Sequence, residues 1–192
     1  MTRLFLVRHG PTHAKAMTGW RDIPADLSDT AALRRLNALL PIPALVASSD
    51  LSRASATADA LSAGRTRLPP DPAFREINFG AWDGLHWAEV AARDPDLSRA
   101  FWEDPGDHRA PDGESWNEAA ARSVTGLDAL CHSHPGKDLI LVTHMGIILA
   151  QLQHRLAIPA SSALSHRIDP LSVTILSRYG QDWQADAINH CP

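Results

Sequence analysis

The chain has 192 residues, of which 44% are hydrophobic and 21% are charged, and its formal net charge is −4 at pH 7. This length and composition predict one globular domain, residues 1–192, with a well-buried core. The acidic balance excludes the basic surface of a nucleic-acid-binding protein, and no apolar run is long enough to span a membrane.

Short apolar runs predict the strands at residues 4–7, 44–47, 139–142 and 173–176, with weaker candidates at 66–68 and 183–188. Helical patterns lie between them, at residues 31–40, 52–61, 84–93, 115–132 and 145–156. The alternation predicts a three-layer α/β/α sandwich with a mostly parallel central sheet. Residues 104–112, with two prolines and a glycine, predict a surface loop that could cover a site.

The first strand ends in Arg8, His9 and Gly10. Ligands of open α/β sheets bind at the carboxyl ends of the strands, so a cation and an imidazole there favour an anion site. The loop that follows adds the hydroxyl, ammonium and backbone donors that phosphate recognition needs, at Thr12, Lys15, Thr18 and Gly19. A strand that simply ends in polar residues would look the same, so this motif alone leaves both interpretations open.

A second motif begins the helix at residues 52–61, where Arg53 lies in the first turn after a serine-rich segment. A helix N-terminus attracts anions through its free N–H groups. An arginine there adds a planar pair of donors suited to two phosphate oxygens. The alternative is a capped helix start that faces solvent.

Two further residues can hold or donate protons. Glu76 lies among apolar residues and glycines, where burial would raise its pKa and keep a proton on it near neutral pH, as a general acid requires. A glutamate in a surface loop is the alternative. His144 ends the strand at 139–142, and it could donate to one phosphoryl oxygen together with the N–H of Met145.

Taken in order, these segments resemble the motifs of the histidine phosphatase superfamily, in the branch that contains the cofactor-dependent phosphoglycerate mutases. That family has an R-H-G box, an S-x-L-x-R-A-x-x-T-A box, an E-x-x-x-G-x-W-[DE]-G box and a late H-x-G. Here they are residues 8–10, 49–58, 76–84 and 144–146. The resemblance spans nearly the whole chain. The Pro-Asp-Gly-Glu-Ser segment at 111–115 looks like the α-ribazole phosphatase branch.

The resemblance implies a phosphoglycerate mutase-like fold and a metal-independent phosphomonoesterase that acts on a small-molecule phosphate ester. His9 would be the nucleophile, made neutral by the neighbouring arginines, and Glu76 would be the acid and then the base. The phosphoryl oxygens would be held by Arg8, Arg53 and His144. Substrate-binding residues would be Thr12, Lys15, Thr18, Gly19 and Met145. Lys15 stands where many family members have asparagine, so it could alter substrate choice.

The same motifs serve phosphoglycerate mutases, so mutase-type phosphoryl transfer stays open, as does a non-catalytic phosphate-binding protein on the same fold. Family mutases carry an extra segment between the glutamate motif and the late histidine. This chain has only residues 94–112 there, which favours a phosphatase. A protein-phosphohistidine phosphatase would need an open site, whereas tryptophans near the motifs favour a walled pocket, although they would also fit a core.

No cofactor and no metal are expected. The pair His132 and His134 is placed at a helix end that faces water. The other histidines outside the motifs share no metal-ligand spacing and have no cysteine beside them in a zinc pattern: His86, His108, His154, His166 and His190. Two cysteines form no disulfide framework, so we expect reduced thiols in a cytoplasmic protein. A small phosphate ester is the expected partner, nucleic acid and membrane are not, and a homodimer is left open.

Overall fold

The computed structural model describes residues 2–180 and 182–192, and its strands form one six-stranded sheet. The strands are β1 (Arg3–Arg8), β2 (Leu45–Ser48), β3 (Thr66–Arg67), β4 (Leu139–Thr143), β5 (Val173–Tyr179) and β6 (Asp182–His190). Their order is β3-β2-β4-β1-β5-β6. The first four strands are mutually parallel, and β5 is antiparallel to β1 and β6. The predicted mostly parallel sheet is confirmed.

The helices alternate with the strands as the sequence predicts. They are α1 (Thr30–Leu39), α2 (Ser52–Ala60), α3 (Trp87–Arg93), α4 (Pro95–Glu103), α5 (Trp116–Ser133), α6 (Met145–Leu156) and α7 (Ala160–Leu164). Short 3-10 turns occupy Pro72–Phe74 and Gly80–Trp82. In the described ranges, no helix has both the length and the apolar character needed to cross a membrane.

The region after the glutamate motif differs from the prediction in two ways. The helix predicted at 84–93 begins only at Trp87, because Gly84 has a φ of +91° and His86 forms a capping box with Glu89. The predicted end at Pro95 is instead the start of α4, where a missing proline N–H costs no helical hydrogen bond. The short helix α7 was not predicted either.

Both faces of the sheet are covered, because successive side chains of a strand point to opposite sides. In β1, Leu4 and Leu6 are buried in the larger hydrophobic cluster, which contains residues of α5 and α6. Phe5 and Val7 point the other way, into the cluster that contains residues of α1 and α2. The result is the three-layer α/β/α arrangement that the alternation predicted.

The carboxyl ends of β2, β4 and β1 meet at one edge of the sheet, because these three strands are parallel neighbours. The His9 N–H donates to the Thr143 carbonyl over 3.0 Å. The Ser49 N–H donates to the Val142 carbonyl over 3.1 Å. The three segments that carry the motifs therefore begin side by side.

We predict that Leu6→Ala lowers the free energy of unfolding by about 2–5 kcal/mol, because it truncates a fully buried side chain of a central strand and leaves a cavity in its place. Urea denaturation followed by tryptophan fluorescence measures this cost. Leu39→Ala, on the exposed side of α1, is the control and should cost much less. Equal costs for the two variants would contradict the described packing.

Candidate active site

A cavity of about 210 Å³ opens at the edge where the three strands end. Its lining consists of Arg8, His9, Thr12, Ala14, Ala16, Met17, Thr18, Arg53, Glu76, Phe79, Trp102 and Met145. The structure thus brings four of the five predicted catalytic residues to one cavity. Residues of the 104–112 loop are not part of this lining, and the segment that reaches the cavity is α4, through Trp102.

His9 is buried and presents an unprotonated ring nitrogen. Its Nδ1 lies 2.7 Å from the Gly10 carbonyl, a contact that requires a proton on Nδ1 and leaves the lone pair on Nε2. Burial lowers the pKa of His9 to about 3; the Gly10 carbonyl opposes this change, and the charges of Arg53 and Arg8 add to it. The arginines predicted to keep His9 neutral therefore contribute less than burial does.

His144 lies behind the lining, with its ring centroid 5.0 Å from that of His9. The Arg53 Nε–H donates to His144 Nδ1 over 3.2 Å, so the proton of this second imidazole is on Nε2. Burial, with the charges around it, holds the pKa of His144 well below its ordinary value. Within the described residues, its Nε2 is buried and has no hydrogen-bond partner. His144 is thus a neutral imidazole with a buried N–H that lacks a described partner.

Arg53 is 1% exposed and is fixed by three hydrogen bonds. Besides His144, its guanidinium donates to the Arg21 carbonyl over 2.8 Å and to the Gly19 carbonyl over 2.6 Å. A guanidinium has five N–H groups, so two remain for a ligand. Burial lowers the pKa of Arg53, but a guanidinium stays charged in a protein.

Arg8 supplies the second positive charge of the cavity. Its Nη1 donates to the Ile168 carbonyl over 2.6 Å, which fixes the side chain. Its Nε is buried and unpartnered in the part of the chain that the structure describes. Because a buried donor without a partner is costly, this N–H is a second group that an oxyanion would satisfy.

Glu76 is buried, and both of its carboxyl oxygens have backbone contacts. Oε1 accepts from the Ile77 N–H over 3.0 Å, and Oε2 accepts from the Gly146 N–H over 3.1 Å. Burial raises the pKa of Glu76, against the opposing effect of these N–H groups and of Arg53 and Arg8. The carboxyl group is therefore predisposed to hold a proton, as predicted from the apolar residues around it.

The backbone of Glu76 is held by two residues that sequence analysis did not assign a role. The indole N–H of Trp20 and Nη2 of Arg122 each donate to the Glu76 carbonyl over 2.8 Å. Arg122 in turn forms a two-point ion pair with Glu114, from the Pro-Asp-Gly-Glu-Ser segment. The family likeness of the Pro-Asp-Gly-Glu-Ser segment was visible in the sequence, but its connection through Arg122 to the Glu76 carbonyl was not.

Thr57 connects the first two motifs. Its hydroxyl accepts the Gly10 N–H over 3.0 Å and donates to the Arg53 carbonyl over 2.7 Å. The loop after β1 is thereby attached to α2, and the nucleophile candidate is held next to its guanidinium neighbour. This contact accounts for a threonine one turn after the arginine of the second motif.

The predicted substrate-binding residues are divided between the cavity and its surroundings. Thr12, Thr18 and Met145 line the cavity, whereas Lys15 is exposed and lies outside the lining. Gly19 lies behind the lining, where its N–H donates to Asp83 and is not available to a ligand. A Cβ at this position would lie 2.5 Å from the Ile77 carbonyl oxygen, so the close approach requires glycine. Gly19 thus supports Arg53 through its carbonyl.

Among the described residues, no three histidine, cysteine, aspartate or glutamate side chains are grouped so that they could hold a metal ion. The positive charge at the cavity comes from Arg8 and Arg53. The arrangement can therefore hold an oxyanion with guanidinium N–H groups beside a neutral imidazole and a carboxyl group whose pKa is raised by burial.

A family model described as the histidine phosphatase superfamily (branch 1) matches residues 4–190. A metal-independent phosphoserine phosphatase of Arabidopsis thaliana is 31% identical, over 97% of this chain and 81% of that protein. A glucosyl-3-phosphoglycerate phosphatase of Mycolicibacterium vanbaalenii is 34% identical, over 83% of this chain and 76% of that protein. Three further mycobacterial relatives are longer, and the chain spans 50% of each.

Two solved structures illustrate the shared fold. Bacillus stearothermophilus YhfR has a TM-score of 0.87 and 25% identity, over 98% of this chain and 97% of that one. An α-ribazole phosphatase of Shigella flexneri has a TM-score of 0.78 and 21% identity, over 98% of this chain and 96% of that one. At that identity, the second likeness shows the fold alone.

We predict that His9 stays neutral as the pH falls from 8 to 4, because its pKa is lowered to about 3, whereas an unperturbed histidine would become protonated near pH 6.5. A ¹⁵N NMR titration of histidine side chains measures this, with His9→Ala assigning the signal. Protonation of the His9 ring between pH 6 and 7 would contradict the described burial.

We predict that Gly146→Ala leaves the fold intact but displaces the Glu76 carboxyl, because the new Cβ would lie 2.4 Å from Oε1, at the end of a movable side chain. A crystal structure of the variant measures the displacement. Gly106→Ala is the control, since its Cβ would meet nothing closer than 3.9 Å. An unmoved carboxyl group in Gly146→Ala would refute the prediction.

Proposed function

Because the chain belongs to the histidine phosphatase superfamily (branch 1), we propose that it hydrolyses a small-molecule phosphate monoester through a phosphohistidine on His9. Relatives named as phosphatases, which match most of the chain, support the hydrolase activity. The observation that carries the proposal is the neutral His9 imidazole, with its Nε2 unprotonated, in one cavity with Arg8, Arg53 and Glu76.

In the first step, the lone pair of His9 Nε2 forms a bond to phosphorus, and the bond from phosphorus to the ester oxygen breaks. Glu76 gives its proton to that oxygen, so the leaving group departs as an alcohol and the carboxyl group becomes a carboxylate. Phosphoryl transfer depends mainly on positioning and on stabilisation of the equatorial oxygens. The unpartnered N–H groups of Arg8 and His144, with the remaining ones of Arg53, are suited to that task.

In the second step, water attacks the phosphorus of phospho-His9. The Glu76 carboxylate takes a proton from this water, the bond from phosphorus to Nε2 breaks, and inorganic phosphate leaves. His9 and Glu76 then have their starting protonation states. One carboxyl group can serve both steps because each step returns it to the state that the other requires.

Hydrolysis is proposed ahead of mutase-type transfer because of the residues between the glutamate motif and the late histidine. In that interval, residues 94–112 contain only α4 and a loop, and α4 already contributes Trp102 to the cavity wall. A mutase must retain its released intermediate for a second transfer, and this cavity is open to solvent at Trp102 and Met145, which are 40% and 38% exposed.

We also propose a cytoplasmic location. Both cysteines, Cys131 and Cys191, are free thiols. Free thiols are typical of proteins in reducing compartments.

We predict that phosphate release from a panel of phosphomonoesters persists in EDTA and falls on the order of 10⁴-fold or more in His9→Ala, which removes the nucleophile. His154→Ala, an exposed histidine of α6, is the control and should keep full activity. Phosphate release that EDTA abolishes, or that His9→Ala retains, would contradict the proposed mechanism.

We predict that Glu76→Gln slows hydrolysis of alkyl phosphates by about 10²- to 10⁴-fold, the usual contribution of a general acid. Release of 4-nitrophenol in the first step, the transfer of the phosphoryl group to His9, should be slowed much less, because this leaving group departs without a proton. Single-turnover rates for the two esters measure the difference. An equal loss for both would refute the assignment of Glu76 as the acid.

A further inference from the structure

The cavity is divided into a charged end and an uncharged wall. Its ionisable side chains, Arg8, His9, Arg53 and Glu76, are the groups that the proposed function assigns to the phosphoryl group and to proton transfer. The rest of the lining is apolar apart from the hydroxyl groups of Thr12 and Thr18, and it includes Ala14, Ala16, Met17, Phe79, Trp102 and Met145. The alcohol part of a bound ester would therefore face this uncharged wall.

Trp102 is the largest side chain of this wall, and its position is fixed by other rings. Its centroid lies 6.1 Å from that of Phe79 and 4.9 Å from that of Phe101, in tilted and edge-to-face arrangements. It is 40% exposed, and Met145 is 38% exposed, whereas Phe79 is buried. The exposed ring and thioether are thus held at the open side of the cavity, where part of their apolar surface is available to a ligand.

Apart from the hydroxyl groups of Thr12 and Thr18, the described wall offers no polar side chain to a carboxylate on the alcohol. Apart from the groups at the charged end, the described lining contains no charged side chain, and Lys15 lies outside it. A carboxylate placed against Trp102 and Met17 would lose water without gaining a hydrogen-bond donor from these side chains, which is costly. An apolar or aromatic alcohol would instead gain from contact with the same surfaces.

We propose that the site selects phosphate monoesters whose alcohol carries no carboxylate and has an apolar or aromatic face, and that Trp102 is the residue that determines this preference. The inference rests on the proposed function, since it concerns the leaving group of the same reaction. Esters that carry a carboxylate beside the phosphate, such as phosphoserine, are poor substrates on this account.

The test compares 2-phenylethyl phosphate with phosphoserine, because both have alkyl leaving groups and differ in charge and ring. For the wild type, kcat/KM should favour 2-phenylethyl phosphate by about tenfold or more. Trp102→Ala should lower kcat/KM for that ester about tenfold, mainly through KM, because an apolar contact is lost. Its kcat/KM for phosphoserine should not fall, and its inhibition by vanadate should not change.

Trp87→Ala is the matched control, since Trp87 is 68% exposed and lies outside the cavity. It should leave kcat/KM for both esters unchanged, and Trp102→Phe should keep most of the preference for 2-phenylethyl phosphate. Equal turnover of the two esters by the wild type would overturn the inference, even if Trp102→Ala failed to fold. An equal loss for both esters in Trp102→Ala would overturn it too. No phosphate release from any ester would overturn the proposed function itself.

Discussion

A buried guanidinium, that of Arg53, holds the candidate site together. Its three hydrogen bonds join α2 to His144 after β4 and to the carbonyls of Gly19 and Arg21 in the loop after β1. A cation removed from water is stable only where polar groups replace the lost hydration, so these segments must approach one another closely. The glycine at position 19 and the attachment of Gly10 to Thr57 are consequences of that approach.

Burial also sets the protonation states on which the proposed chemistry depends. It lowers the pKa values of His9 and His144 and raises the pKa of Glu76, so two imidazoles are neutral and one carboxyl group tends to hold its proton. Two positive guanidinium groups then lie in a cavity with little negative charge. The buried N–H groups of Arg8 and His144 without described partners each cost about 1–3 kcal/mol, a cost that a phosphate group would relieve.

Much of this arrangement could be predicted from sequence, because it depends on features that are local in the chain. Short apolar runs identified the strands, and their polar ends indicated where His9 and His144 would lie. The predicted helix bounds of α6 agree with the structure because its pattern begins at the strand end and stops before Pro159. Parallel pairing of β1, β2 and β4 then brings these ends together without further information.

What could not be predicted depends on packing between distant segments. The helix α4 was read as a break at Pro95, although the spacing of Leu97, Ala100 and Phe101 was a usable signal. Without this helix, Trp102 could be named only as one of the tryptophans near the motifs that favour a pocket wall, and the structure places Trp102 in the cavity lining. The N–H of Gly19 was expected to face a ligand. It donates instead to the side chain of Asp83, and this contact could not be predicted because the two residues are distant in the sequence.

The central claim is that His9 carries the phosphoryl group, and trapping the phosphoenzyme tests it most directly. Wild-type enzyme would be mixed with a phosphomonoester, quenched in alkali to preserve phosphohistidine, and analysed by peptide mass spectrometry and ³¹P NMR. The account predicts phosphate on His9, attached to Nε2, because Nδ1 is engaged by the Gly10 carbonyl. Phosphate on another residue, or on Nδ1, or steady hydrolysis without any phosphoenzyme would contradict it.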